Sequence, residues 1–296
     1  MIRPSHFAAN SETAASNRFQ SSARTDRDVA ARAAREFDGL AVLLAAAGVR
    51  VHAFAGARDA ELPDEVFPNN WVSFHEDGTA VLYPLLAPNR RRERRPELID
   101  ALRDQHGYRV TRIVDLTALE QKRQYLEGTG SVVLDRANRI AYACRSARTH
   151  DEALAELGRA LGYEPRPFDA TDRDGHAVYH TNVLLSIGTR FAVFCSSAVR
   201  DETDRRRILA RLAEHREVID LSFEQLHSFA GNLLELRAGD APVIALSAAA
   251  LASLRRPQRR ALEAHGELVA ADVGTIERHG GGSVRCMLAE VALPRA

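Results

Sequence analysis

The sequence predicts a mixed α/β protein in which one structural unit recurs about five times around a closed ring. Pairs of short apolar runs begin near residues 71, 131, 182 and 232, and a last apolar run begins near 283. Each pair indicates a β-hairpin, because turn residues such as Asp, Asn and Gly separate its two runs. A helix-like stretch and a further short strand follow each hairpin. Such a regular period is typical of repeat architectures, and we expect one domain over 1–296.

The elements follow from these patterns in chain order. The predicted hairpins pair 71–74 with 80–83, 131–134 with 140–143, 182–187 with 191–194, and 232–236 with 243–246. The Ala-, Leu- and Arg-rich stretches that predict helices are 25–47, 89–106, 150–161, 199–215 and 248–265. Short strands are expected at 51–54, 109–114 and 218–221. The run 283–291 lacks a hairpin partner, and residues 2–7 are expected to supply one, so that the termini complete one unit.

Composition and charge exclude several classes of function. Lys and Arg total 40 and Asp and Glu total 40, a balance that argues against binding to nucleic acid or to an acidic membrane surface. The basic run 90–95 is expected to be the solvated face of a helix. No apolar run is long enough to cross a bilayer, and three cysteines without a C-x-x-C pair predict a cytoplasmic protein with neither disulfides nor a metal. The oligomeric state is not predicted.

In a ring of repeats, equivalent positions point at the same axis, so polar residues that begin the hairpins are expected to converge. Those positions hold Asn69, Asn70, Glu127, His180, Asn182, Asn232 and Cys286.

Among the three cysteines, Cys286 is the predicted nucleophile. It follows three glycines and Ser283, and glycines allow a ligand to approach the backbone closely. Cys144 and Cys195 end apolar strands and are expected to fill the core. A cysteine attacks as the thiolate, so it needs a base, and His180 at the matching ring position is the best candidate. Glu127 lies between Leu126 and Gly128, where a carboxylate orients an imidazole.

The order Glu-Gly-x-Gly, then His, then a glycine-rich loop ending in Cys resembles the guanidino-group modifying enzyme superfamily. That superfamily includes arginine deiminase, dimethylarginine dimethylaminohydrolase and the amidinotransferases, and the resemblance implies a five-bladed α/β propeller of ββαβ units. The branch of citrulline utilisation hydrolases is the most similar. The motifs that carry this likeness are Arg3-Pro4, Asn10-x-Glu12-Thr13-Ala14, Phe67-Pro68-Asn69-Asn70-Trp71, Leu126-Glu127-Gly128-Thr129-Gly130, Phe229-Ala230-Gly231-Asn232 and Ser283-Val284-Arg285-Cys286-Met287.

The resemblance implies a role for each of four residues. Cys286 attacks, His180 is general acid and base, and Glu127 supports the protonated groups. Arg148, in the segment Ser146-x-Arg148-Thr149, is implied to hold the α-carboxylate of an amino-acid substrate, which suits a guanidinium fork.

The sequence departs from the arginine-consuming members at two positions. Where those members carry carboxylates, this chain has Asn70 (or Asn69) and Asn182. Amides suit a neutral ureido group, whereas a guanidinium among amides would be desolvated with only Glu127 to compensate its charge. We therefore expect hydrolysis of a citrulline-like amino acid to ornithine, carbon dioxide and ammonia, without a cofactor. The alternatives are a guanidino hydrolase that produces citrulline, and an inactive propeller that serves as a binding module.

The polar segment 8–24 is predicted either to cover the pocket as a lid or to form an exposed loop, with Asn10 and Asn17 as its candidate substrate contacts. Whether Asp135 or Asp174 enters the site is left open.

Overall fold

Short strands and short helices alternate along the chain, as the mixed α/β class predicts. The computed structural model describes residues 1–21, 28–57 and 61–295. The strands are β1 (Ile2–Arg3), β2 (Phe54–Ala55), β3 (Val72–Phe74), β4 (Thr79–Leu82), β5 (Arg112–Asp115), β6 (Val133–Asp135), β7 (Ile140–Cys144), β8 (Glu164–Phe168), β9 (Leu185–Ile187), β10 (Phe191–Phe194), β11 (Glu217–Asp220), β12 (Leu234–Ala238), β13 (Ala241–Ser247) and β14 (Glu267–Ala271). The helices are α1 (Ser11–Ala14), α2 (Val29–Ala46), α3 (Pro88–Arg91), α4 (Pro96–Asp104), α5 (Gly128–Ser131), α6 (Asp151–Leu161), α7 (Thr181–Leu184), α8 (Glu202–Ala213), α9 (Phe223–His227), α10 (Ala248–Ser253), α11 (Arg256–Glu263) and α12 (Gly274–Gly280).

Four three-stranded sheets share one topology. In each, an antiparallel hairpin is followed by one or two helices and then by a strand that pairs in parallel with the second hairpin strand. The four sheets are β3-β4-β5, β6-β7-β8, β9-β10-β11 and β12-β13-β14. The second hairpin strand is central in every sheet, and β7 and β10 are buried along their whole length. The predicted ββαβ unit is therefore confirmed four times.

The chain termini differ from the prediction. β1 pairs in parallel with β2, with Ile2 opposite Phe54, and does not form a hairpin with the last apolar run. The predicted strand at 283–291 is wrong, because Val284–Met287 forms a 3-10 turn. The amides of Cys286 and Leu288 are hydrogen-bonded to the carbonyls of Ser283 and Arg285, which removes them from any strand ladder. Residues 22–27, which include the start of the predicted helix 25–47, lie outside the described residues.

The segments that begin the hairpins contact one another in a closed order. The 3-10 helix Pro68–Asn70 contacts α5, and α5 contacts α7, which leads into β9. β9 contacts β12, its partner strand β13 contacts the turn Val284–Met287, and that turn contacts Pro68–Asn70 again. This cycle brings the predicted site residues, which are far apart in sequence, to one place in the molecule.

The structure shows where two cysteines predicted for the core and two aspartates of undecided position lie. Cys144 and Cys195 are fully buried, as predicted, and burial raises the pKa of Cys144 to about 12. Asp135 is paired with Arg216 at 2.8 Å and not with any of the predicted site residues, and Asp174 is exposed beside Asp172. In the described part of the chain, no helix has both the length and the apolar character needed to span a bilayer.

Candidate active site

Glu127 and His180 form a buried hydrogen-bonded pair. Together with Cys286, Arg148 and Arg90 they make up what we call the cluster. The His180 Nε2 and the Glu127 Oε2 atoms lie 2.9 Å apart, and both side chains are almost entirely shielded from solvent. Burial lowers the pKa of His180 to about 4, although the hydrogen bond to Glu127 opposes this shift. The ring is therefore neutral near pH 7, with the Nε2 proton donated to Glu127 and a lone pair on Nδ1. A neutral imidazole with a free lone pair is suited to act as a general base.

Cys286 lies in the turn Val284–Met287 with its sulfur between two asparagine side chains. Asn232 Nδ2 donates to the Cys286 Sγ at 3.3 Å, and Asn182 Nδ2 lies 3.5 Å from it. Asn232 Nδ2 also donates to the backbone carbonyl of Asn182 at 3.0 Å. This bond holds the Asn232 side chain between the repeat that begins at Asn182 and its own repeat. Asn182 lies two residues after His180, which is the N-cap of α7. One short segment therefore carries both the imidazole and an amide that contacts the thiol.

Two buried arginines flank Glu127. Arg148 Nη1 lies 3.3 Å and Arg90 Nη1 lies 3.6 Å from Glu127 Oε2. Burial alone would raise the pKa of Glu127, but Arg148, the hydrogen bond from His180, and Arg90 together hold it well below its usual range. The carboxylate therefore stays ionised and accepts the hydrogen bond from His180.

The two neighbouring asparagines have different surroundings. Asn70 Oδ1 accepts a hydrogen bond from Arg90 Nη1 at 2.8 Å, and its Nδ2 lies 3.5 Å from the carbonyl of Glu127. Asn69 is equally buried, yet its side-chain nitrogen and oxygen have no hydrogen-bond partner among the described residues. A buried amide without a partner is costly, so Asn69 has an unused donor and acceptor for a ligand.

The segment Asn10–Gln20 lies over the arginines. Arg148 Nη2 donates to the Thr13 carbonyl at 3.1 Å and to the Ser16 hydroxyl at 2.8 Å. Asn10 Nδ2 donates to Asp64 at 2.7 Å, and Asn17 Nδ2 lies 3.3 Å from the carbonyls of Gly280 and Gly281. This part of the predicted segment 8–24 covers the cluster, whereas residues 22–24 lie outside the described residues.

Aromatic contacts hold the same segment in place. The Phe19 ring lies 5.8 Å from Tyr179, 5.4 Å from His227 and 5.3 Å from Phe229 between centroids. The Tyr179 hydroxyl donates to the carbonyl of Gly281. Tyr179, which contacts Phe19, is thereby joined to the loop before Cys286. Asn10–Gln20 is therefore packed against two of the regions that supply the cluster.

The prediction that the whole basic run 90–95 is a solvated surface was wrong for Glu93 and for Arg90. The Arg90 side chain is 2% exposed and makes three hydrogen bonds to Glu93 and one to Asn70. Burial opposes the charge, but Glu93, Asp64 and Glu127 raise the pKa of Arg90, so it stays a cation. Asp64 is a second residue that the sequence did not indicate. The spacing of Arg90 and Glu93, three residues apart, was the available signal for a helical ion pair.

Gly130 gives a first test of this packing. A Cβ atom at Gly130 would lie 2.4 Å from Asn70 Nδ2 and 2.7 Å from His180 Nδ1. We expect Gly130→Ala to displace the imidazole, to lower kcat/KM by about 10²-fold, and to cost roughly 1 to 3 kcal/mol of folding free energy. Gly39→Ala is the matched control, because nothing lies within 4 Å of the added methyl in α2, and it should leave activity unchanged. Full activity in Gly130→Ala would contradict this placement of His180.

The pH dependence gives a second test. Since His180 has a pKa of about 4, kcat/KM should stay constant as the pH falls from 7 to about 5, and then decline. The folded-state pKa lies below the ordinary value of 6.5, so the neutral ring contributes stability that is lost as the pH falls from 6.5 through 4. We expect the Tm to drop in that window, and to drop less in His180→Gln. An acid limb of kcat/KM centred near pH 6.5 would show that His180 is not held neutral by burial.

Comparison with known proteins gives a consistent result over nearly the whole chain. The model of a family described as N,N dimethylarginine dimethylhydrolase, eukaryotic, matches residues 3–293. Comparison with curated protein sequences finds no match.

Three solved structures illustrate the similarity in fold. The N-terminal domain of ArgZ, an arginine dihydrolase from the Ornithine-Ammonia Cycle in Cyanobacteria, has a TM-score of 0.73 at 17% identity, over 100% of this chain and 96% of that one. AgrE with ornithine and NAD+ has a TM-score of 0.77 at 19% identity, over 100% of this chain but 39% of that one. A dimethylarginine dimethylaminohydrolase adduct has a TM-score of 0.62 at 15% identity, over 88% of this chain and 92% of that one. The mixed α/β fold with small sheets is thus shared with these proteins.

Proposed function

The chain belongs to the family described as N,N dimethylarginine dimethylhydrolase, eukaryotic, and within the C–N hydrolase chemistry of that family we propose that it hydrolyses the ureido group of a citrulline-like amino acid. Hydrolysis of a C–N bond other than a peptide bond, with a cysteine nucleophile, is the chemistry of the family. The finer proposal concerns the substrate: citrulline is cleaved to ornithine, carbon dioxide and ammonia.

The surroundings of the Cys286 sulfur carry this proposal. Both polar side chains that contact Sγ are the neutral amides of Asn182 and Asn232, and no carboxylate contacts Sγ within the described residues. A cationic guanidinium placed against this sulfur would meet amides where it needs anions. A neutral ureido group finds amide donors for its oxygen and amide acceptors for its nitrogens.

The cations of the cluster suit the other end of such a substrate. We propose that Arg148 binds the α-carboxylate, as the sequence resemblance implied. Its Nη2 and Nε atoms are bonded to Thr13 and Ser16 in this structure, and a substrate carboxylate would replace these weaker neutral acceptors. Asn17 and Asn70 are proposed to border the bound amino acid. Asn69, whose amide is unpaired among the described residues, is proposed as a further contact.

The chemical steps follow from this placement. Cys286 Sγ attacks the ureido carbon after its proton passes to His180, and the amides of Asn182 and Asn232 stabilise the oxyanion. His180 returns the proton to the leaving nitrogen, the C–N bond breaks, ornithine departs, and a carbamoyl group remains on the sulfur. A water molecule, deprotonated by His180, attacks this carbamoyl thioester and restores the thiol. The released carbamate decomposes to carbon dioxide and ammonia.

A second candidate, hydrolysis of a guanidino compound, is favoured by the family's description, which names dimethylarginine, and by one feature of the site. Asp64 is buried near Arg90 and Arg148, and its Oδ1 atom accepts no hydrogen bond from the described residues. A free carboxylate oxygen is a natural partner for a guanidinium. The arginine dihydrolase ArgZ shares the fold, so arginine and dimethylarginine are the substrates to compare with citrulline.

The deciding experiment uses citrulline labelled with ¹⁴C at the ureido carbon, alongside unlabelled arginine and Nω,Nω-dimethylarginine. The expected result is ornithine and labelled carbon dioxide in equal amounts from citrulline, and none from the Cys286→Ser protein. Turnover of arginine or dimethylarginine with citrulline accumulating as the product would overturn the ureido proposal in favour of the second candidate.

We also propose that the repeats close into a single five-bladed α/β propeller with the active site on its axis. The cycle of contacts from Pro68–Asn70 through α5, α7, β12 and Val284–Met287 supports this arrangement. The proposed partner is a small-molecule amino-acid substrate, and the proposed location of the protein is the cytoplasm.

A further inference from the structure

Glu277 is a buried carboxyl group on the helix that leads into the loop before Cys286. It belongs to α12, and the glycines 280–282 follow it. The Ser283 hydroxyl donates to Glu277 Oε1 at 2.6 Å. Burial raises the pKa of Glu277, and the hydroxyls of Ser283 and Ser247 oppose this shift. A carboxyl group withdrawn from water needs hydrogen-bond partners, and one partner of Glu277 belongs to the loop that carries the proposed nucleophile.

Glu277 holds this loop at two points. Its backbone carbonyl accepts the amide of Gly281 at 2.9 Å, where α12 ends, and its side chain accepts the Ser283 hydroxyl two residues later. Between these points the chain turns through Gly281, whose φ of +64° lies in the left-handed region that favours glycine. Glu277 therefore fixes both the start and the end of the segment 281–283.

Ser283 is the residue from which the turn of Cys286 starts. Its carbonyl accepts the amide of Cys286 at 2.9 Å and that of Met287 at 3.3 Å. Its side chain is fully buried, with the hydroxyl bonded to Glu277. Because the hydroxyl and the carbonyl belong to one short residue, the bond to Glu277 fixes the acceptor on which the Cys286 backbone is held.

The position of the Cys286 sulfur depends on this turn. Its contacts with the amides of Asn182 and Asn232 are 3.5 and 3.3 Å long, so a displacement of about 1 Å would break them. We propose that Glu277 is a positioning residue: through Ser283 it holds the turn that presents Cys286, so that the sulfur stays between the two asparagines. Glu277 neither touches the substrate nor transfers a proton. This role rests on the proposed function of Cys286 as the nucleophile, but it is the same for a ureido and for a guanidino substrate.

Two variants of Glu277 separate the hydrogen bond from the packing. Leucine fills a similar space without an acceptor for Ser283, whereas glutamine keeps an oxygen there. With whichever of citrulline, arginine and dimethylarginine is turned over, Glu277→Leu should lower kcat by about 10²-fold and change KM by less than about threefold, because a displaced sulfur affects the chemical step. Glu277→Gln should retain kcat within about threefold of the wild type.

Alkylation of Cys286 gives a second readout without turnover, so failure here is separable from failure of the proposed function. The folded protein is treated with iodoacetamide at neutral pH, and mass spectrometry of its peptides measures the rate at each cysteine. Amide donors favour the thiolate, which is the reactive form, so Cys286 should react about tenfold more slowly in Glu277→Leu and at the wild-type rate in Glu277→Gln. Cys144 and Cys195 are fully buried, and their labelling reports whether the core has opened.

Ser283→Ala removes the other partner of the same bond. It should slow the labelling of Cys286 by a similar factor, and the double variant with Glu277→Leu should be no slower than either single variant. If Glu277→Leu opens the core, the comparison of Ser283→Ala with the wild type decides. Ser253→Ala is the matched control, because it also loses one hydroxyl donor, to the Ala250 carbonyl at 2.7 Å in α10, and it should label at the wild-type rate.

Three results would overturn the proposal. They are unchanged or faster labelling of Cys286 in a folded Glu277→Leu or Ser283→Ala protein, equal losses in Glu277→Leu and Glu277→Gln, and additive losses in the double variant.

Discussion

Replacing Cys286 by serine is expected to lower kcat for ornithine formation by roughly 10⁴-fold or more, because the hydroxyl has no comparable nucleophilicity beside a neutral imidazole. The substitution should leave the fold intact, since a serine hydroxyl still accepts hydrogen bonds from Asn182 and Asn232. The measurement is steady-state ornithine release together with the Tm of both proteins. Loss of activity at an unchanged Tm identifies a chemical role for the sulfur.

The matched control for this experiment is Cys195→Ser, at a fully buried cysteine that follows β10. It should retain activity, because its sulfur lies against Ser197 and not in the cluster. Mass spectrometry after incubation with labelled citrulline should then locate a trapped carbamoyl group on Cys286 only. Activity of Cys286→Ser within tenfold of the wild type, or a carbamoyl group on another cysteine, would remove the nucleophile from the proposed mechanism.

Glu127→Gln is expected to have the second largest effect. The amide would no longer compensate the charges of Arg148 and Arg90, and its oxygen is a weaker acceptor than the carboxylate for the imidazole N–H. We therefore expect kcat to fall by roughly 10³- to 10⁴-fold, as for other carboxylates that orient a catalytic histidine. Leaving two buried arginines with less negative charge should also cost roughly 3 kcal/mol of folding free energy. Chemical denaturation and steady-state kinetics on the same preparations measure both effects.

Glu93→Gln provides a control at another buried carboxylate bound to Arg90. Glu93 forms three hydrogen bonds with the Arg90 guanidinium. A neutral glutamine should lower the Tm, because Arg90 loses an anionic partner, but kcat should change by less than about tenfold, since Glu93 does not contact His180. Equal losses in the two variants would mean that Glu127 acts only through the general charge balance of the cluster.

The sequence indicates individual site residues more readily than their surroundings. It points to Cys286, His180 and Glu127 because their local contexts, glycine-rich or at the start of an apolar strand, distinguish them from other residues of the same type, and their catalytic roles stay predictions. Arg90 was misassigned because a run of arginines usually indicates solvent. Its burial depends on Asn70 and Glu127, contacts between distant segments that local patterns do not encode.

In the fold, too, elements set by local sequence are predicted and elements set by distant contacts are not. Hairpins such as β3 with β4 follow from alternation and turn residues, and the structure confirms them within two or three residues. The strand predicted at 283–291 fails because its amides bond within the turn that presents Cys286. The repeat predicts a strand after the helix 150–161 but gives no bounds for it, and the structure forms β8 there, although Glu164–Phe168 contains two prolines. Proline disfavours strand pairing in general. An edge position, where only one side is paired, accommodates them.

The contacts between Arg148 and Thr13 and Ser16 have a kinetic consequence. While they persist, the guanidinium is occupied, so a substrate carboxylate that binds Arg148 must displace Thr13 and Ser16. In the proposed mechanism, each catalytic cycle then includes an opening and a closing movement of the segment Asn10–Gln20. Those movements, and not bond cleavage, would set the maximal rate wherever closing is slower than chemistry, and the rate would then fall with solvent viscosity.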